Sequence, residues 1–90
     1  MTINVSPGDL LVVGSSDDTW FYGPTEASSY KMAPDDTVLV LAYPCSPEWW
    51  VEGNDAWRFG SEIAVGCLAY DGRNQQIGWL CINAMEARHV

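Results

Sequence analysis

Few side chains in this 90-residue chain could do chemistry, and their spacing limits what they could do. The one histidine, His89, stands next to the last residue, where chains are commonly mobile, so it is a poor candidate as a base beside a Cys or Ser nucleophile. Three cysteines, Cys45, Cys67 and Cys81, are odd in number, widely spaced and without a Cys-x-x-Cys pair; they read as reduced thiols, not as a disulfide framework. Three Cys and one His do not supply four convergent ligands for zinc at any usual spacing. The neighbouring carboxylates Asp17-Asp18 and Asp35-Asp36 could hold calcium or push one another's pKa upward, but both pairs sit in turn-forming stretches where Asp is favoured anyway. None of the eight glycines precedes a Lys-Ser or Lys-Thr pair, so no phosphate loop is present. These residues predict a protein that is not an enzyme and takes no cofactor and no metal.

The aromatic residues are the stronger signal. Trp20, Phe21, Tyr22 and Tyr30 fall in one connecting stretch, residues 14–36, while Trp49, Trp50, Trp57 and Phe59 fall in a second, residues 44–62. Trp offers a large rigid contact area with an N–H handle and dominates interface hot spots. Trp49 and Trp50, read as neighbours in an extended segment, would point to opposite faces, one buried and one exposed. Asp17, Asp18, Glu48, Glu52 and Asp55 lie close to these aromatics in sequence.

The elements that must position them read as β throughout. No 11-residue window keeps a helical apolar period free of Gly, Pro or β-branched runs. Leu10 to Val13 follows the turn formers Pro7-Gly8-Asp9 and makes a first strand. Thr37 to Tyr43 follows Pro34-Asp35-Asp36, stops at Pro44, and is apolar on both faces, as for a central strand covered on two sides. Ile63 to Tyr70 and Gln76 to Cys81 form a hairpin about Asp71-Gly72-Arg73-Asn74, with Gly66 and Gly78 read as points of bending. Ile82 to Met85 gives a helical turn before a last strand from Glu86 to Val90. Long connections inside so short a chain usually carry function or irregular structure.

Composition sets the class. Apolar residues at 48% with five Trp suffice for one core, so a single domain over residues 1–90 is expected. Twelve acidic against four basic residues give a net charge of −8, spread along the chain. Such a field repels phosphate backbones and anionic headgroups, which disfavours nucleic-acid and membrane-surface binding and favours basic partners. The first residues lack a basic segment followed by a long apolar run, and no apolar stretch reaches the roughly 18 residues of a spanning helix. A cytoplasmic, soluble protein is the expectation.

Gly78-Trp79-Leu80-Cys81-Ile82-Asn83-Ala84-Met85-Glu86 resembles the closing Gly-aromatic-aliphatic-Pro-x-Asn-Tyr-aliphatic stretch of SH3 domains. Asp36 to Leu41 followed by Trp49-Trp50 resembles the strand and Trp-Trp pieces that precede it, and Asp71-Gly72 with Gly78-Trp79 is similar to the hairpin of bacterial SH3-like domains. The match covers roughly residues 34–90. It implies an all-β, five-stranded SH3-like barrel with two long aromatic-rich loops and a short helical turn near the C-terminus. The Pro and Tyr that help form the family's proline-rich-ligand groove are replaced here by Cys81 and Ala84.

The function expected from these features is docking to a basic peptide or protein surface. Trp20, Tyr22, Trp49, Trp50 and Trp57 are the anchors, with Asp17, Asp18, Glu48, Glu52 and Asp55 steering. A rival reading is an acidic mimic of nucleic acid that inhibits a basic protein, in the manner of small phage accessory proteins. A third is a small oligomeric enzyme or enzyme subunit with its site between protomers.

Overall fold

The computed structural model describes residues 4–14, 19–50, 58–59, 61–85 and 87–90. Strands β1 (Leu10–Val13), β4 (Thr37–Ala42), β7 (Gly66–Asp71), β8 (Gln76–Cys81) and β9 (Ala87–His89) form one sheet in the order β8-β7-β4-β1-β9. Every pair in it is antiparallel. Two short hairpins, β2–β3 (Trp20–Phe21, Tyr30–Lys31) and β5–β6 (Arg58–Phe59, Glu62–Ile63), occupy the two long connections. Among the described residues no ladder joins the edge strands β8 and β9, where a closed barrel is expected from the sequence. Nor is any helix among them long and apolar enough to cross a membrane.

The period-2 pattern of each strand explains the core. Leu11 and Val13, Val38 and Val40, Cys67 and Ala69, and Leu80 project to one face and are essentially inaccessible. Phe21, Met32, Ile82 and Met85 close over that face. Burying a Val, Leu, Ile or Phe side chain contributes about 1.5–3 kcal/mol, so this single layer is the main source of stability.

The opposite face departs from expectation. Thr37 to Ala42 is covered on one side only: Val38 and Val40 are buried, whereas Leu39 and Leu41 remain more than a third exposed. Leu10, Leu39, Tyr70 and Ile77 are successive partners across β1, β4, β7 and β8 and make an apolar row on this outer face. A continuous apolar run shows that a strand has two apolar faces, but it does not specify what covers each.

The hairpin expected at Ile63 to Cys81 begins later, at Gly66, because Glu62–Ile63 pairs with Arg58–Phe59 instead. Strand irregularity falls at Val40/Ala42, where β4 shifts register against β7, rather than at the glycines. Gly66 and Gly78 serve close approach. A Cβ on Gly78 would stand 2.5 Å from Phe21 Cε2 and 2.6 Å from the Tyr22 carbonyl oxygen, and one on Gly66 would stand 2.6 Å from the Cys45 carbonyl oxygen and 2.9 Å from Trp50 Cζ3. Gly78→Ala is therefore expected to lower stability by about 1–3 kcal/mol in urea unfolding. Gly72→Ala, whose nearest neighbour would be the Thr37 carbonyl oxygen at 4.0 Å, should change it by less than about 0.5 kcal/mol. Equal effects of the two substitutions would contradict this account of Gly78.

Candidate functional site

Three aromatic rings meet where the two long connections approach each other. Glu48–Trp50 is a single 3-10 turn, not the extended segment expected, with the Trp50 N–H donating to the Pro47 carbonyl at 3.1 Å. Three residues per turn place adjacent side chains about 120° apart, so Trp49 and Trp50 need not point in opposite directions. Trp50 is 1% exposed and packs against Ala64 and Cys81, over the space that Gly66 leaves. Trp49 is half-buried and donates its Nε1–H to the Gly23 carbonyl at 2.9 Å.

Tyr22 completes the cluster. Its backbone exchanges two 2.8 Å hydrogen bonds with Trp79, which fasten the end of β2 to β8. Its ring lies edge-on to Trp50 at 5.3 Å and 6.1 Å from Trp49, and the two indoles stand nearly perpendicular at 6.1 Å. Such edge-to-face pairs contribute roughly 0.5–1.5 kcal/mol each beyond burial, and here they fix the directions of the rings. Burial pushes the Tyr22 phenol up to about 12, with the nearby Cys81 adding to the effect. Tyr22 is therefore an uncharged contact surface at neutral pH.

Trp20 is 42% exposed on β2, opposite Lys31, and alternates with the buried Phe21. Two residues apart, Trp20 and Tyr22 emerge on the side of the chain away from Phe21. Glu48 is exposed at the start of the 3-10 turn, beside Trp49. Of the expected anchors, Trp20, Tyr22 and Trp49 thus present surface, while Trp50 lies beneath as their support. Trp57, Asp17, Asp18, Glu52 and Asp55 lie outside the described residues.

Two of the thiols, Cys67 and Cys81, are packed in the core, while Cys45 is half-buried. Burial pushes Cys67 up to about 11 and raises Cys81 as well, so neither carries the thiolate needed by a nucleophile at neutral pH. Cys81 Sγ–H donates to Asn83 Oδ1 at 3.0 Å, and all three cysteines are free. His89 pairs with Asp9 at 3.1 Å. Among the described residues no three His, Cys, Asp or Glu side chains converge as a metal site.

Sequence reasoning recognised Asp71 as a turn residue and missed its second role. It is fully buried, and its carboxylate accepts from the Tyr30 hydroxyl at 2.5 Å, Asn74 Nδ2 at 2.9 Å and the Arg73 N–H at 3.1 Å. Desolvation raises its pKa, but these donors outweigh it and hold the group below its ordinary 3.8. Tyr30, half-buried and bonded to that carboxylate, is shifted well upward, first by burial and then by Asp71. A depressed carboxylate stabilises the fold fully above its unfolded pKa and loses that contribution as pH falls through the folded value. Asp71→Asn should cost about 1–3 kcal/mol of urea stability near neutral pH, and the gap from wild type should close as pH drops below 3.8. A gap that stays constant into strong acid would show that the Asp71 charge is not its source.

With this geometry in hand, comparison with known proteins finds no matching family model, no matching curated protein and no matching solved structure.

Proposed function

We propose that this chain is a non-enzymatic, SH3-like interaction module that docks onto a basic, Lys- or Arg-containing peptide or protein surface. The order of elements supports the SH3-like part: strand, long connection, strand, second connection, tight hairpin, one turn over Ile82–Ala84, short last strand. The observation that carries the docking reading is the Tyr22–Trp49 surface, held edge-on to a buried Trp50 and fixed by the Trp49–Gly23 hydrogen bond. Rings already held in place lose little conformational freedom on binding, and a cationic side chain over an aromatic face gains about 0.5–2 kcal/mol as it is desolvated. Trp20 extends this surface and Glu48 supplies a carboxylate beside it. The net charge of −8 adds long-range attraction for a basic partner.

The docking surface differs from the proline-rich-ligand groove of signalling SH3 domains at two places. Cys81 is buried under Trp50, and Ala84 packs against the same cluster without a ring to offer. Selection for positive charge, with Pro-x-x-Pro spacing unimportant, is the expected specificity.

A library of Lys/Arg-containing peptides, screened by calorimetry against the intact protein, should yield binders whose affinity falls as salt rises. Trp49→Ala should weaken a selected binder by about tenfold or more, and Glu48→Gln should reduce the salt dependence with a smaller loss. Binding that survives both Trp49→Ala and Trp20→Ala unchanged would overturn the assignment.

A further inference from the structure

A concave region lies between the β2–β3 hairpin and the β7–β8 turn. It is a cleft of about 680 Å³, within the size range of small-molecule sites. Tyr30, Lys31 and Asp36 belong to one wall, and Arg73, Asn74 and Gln76 to the other. Two bonds tie the walls together: Tyr30 to Asp71 at 2.5 Å and Arg73 Nη1 to Asp36 Oδ1 at 3.2 Å.

The carboxylates of this region are already engaged. Asp71 Oδ1 accepts from the Arg73 N–H, and Asp71 Oδ2 accepts from Tyr30 and Asn74. Asp36 Oδ1 accepts from Arg73, and Asp36 Oδ2 accepts from the Ala33 N–H at 2.9 Å. Both carboxylates are buried. The donors, by contrast, have capacity to spare. Among the described residues, the Arg73 side chain is 62% exposed with one Nη1 bond to a side chain, Lys31 is exposed and forms no ion pair, and Gln76 is exposed. Two of the chain's four basic residues thus line one cleft on a protein of net charge −8.

From this donor excess we infer that the cleft binds a small ligand bearing an oxyanion, a carboxylate or a phosphate. The guanidinium of Arg73 can take two of its oxygens in a bidentate pair, Lys31 adds the second positive charge, and Gln76 offers an amide donor. Polyanions are disfavoured because the acidic field of the chain repels extended negative charge. Lys31 stands opposite Trp20 across the β2–β3 pair, so the two surfaces adjoin, but they share no residue and their ligands have opposite sign; each proposal therefore has its own test.

The test is a titration of isotope-labelled protein, followed by NMR at neutral pH and constant ionic strength, with acetate, inorganic phosphate and uncharged acetamide. Acetate or phosphate should give saturable shifts at the Arg73 side-chain N–H and the Asn74 and Gln76 amides, and acetamide should give none. The oxyanion that saturates at lower concentration identifies the class of ligand. Arg73→Gln and Lys31→Gln should each weaken the response by about tenfold, the loss expected for one charge-assisted contact. Lys31→Gln leaves the Arg73–Asp36 pair intact, so a loss in that variant cannot come from a disrupted wall. Linear shifts for both oxyanions, or saturable shifts unchanged in either variant, would overturn the two-cation site.

Discussion

The β2–β3 hairpin is joined to the main sheet by backbone pairing between Tyr22 and Trp79 and by Phe21 lying over Gly78, which has no side chain to obstruct it. Everything above the sheet depends on that junction. It closes the core face through Phe21, sets Tyr22 against Trp49 and Trp50, and brings Tyr30 within reach of Asp71. A displaced hairpin would open the core, separate the aromatic rings and leave a buried carboxylate without its shortest hydrogen bond. A buried polar group that loses its partner costs more than the bond contributed, so the junction and the polar network stabilise one another.

The two ends of the hairpin carry opposite chemistry. At the Tyr22 end, the rings meet edge-to-face and the Trp49 N–H is fixed on the Gly23 carbonyl. At the Tyr30 end, a buried charge is surrounded by donors, two from its own turn, Arg73 and Asn74, and one, Tyr30, from 41 residues away. Phe21 and Tyr30, whose rings lie 5.4 Å apart, connect the two regions through the core. Both proposed surfaces are therefore built on packed elements, which is where recognition geometry is held most firmly.

Much of the main sheet was legible. Leu10–Val13 and Gln76–Cys81 are marked by the turn residues that precede them, and β4 ends as expected near Pro44, which lacks the N–H to continue a ladder. The two-residue strands of the long connections were not legible, because so short a segment has no measurable period and is defined only by its partner. Aromatic residue types drew notice to Tyr22 and Trp49, but their arrangement depends on a 3-10 turn that the adjacent Trp pair does not announce. Asp71 shows the same limit. Its place beside Gly72 marks a turn, while its partner Tyr30 is 41 residues away and nothing local signals the pairing.

The row Leu10, Leu39, Tyr70 and Ile77 gives the chain's acidity a physical purpose beyond any one partner. An apolar stripe across four strands would let molecules stack face to face at high concentration, as exposed sheets do. Like charge of −8 on each molecule opposes that stacking over a distance of roughly a Debye length, about 8 Å at physiological salt. Salt that shortens the screening length, or acid that discharges the carboxylates, would weaken that opposition and let the same stripe act as an adhesive.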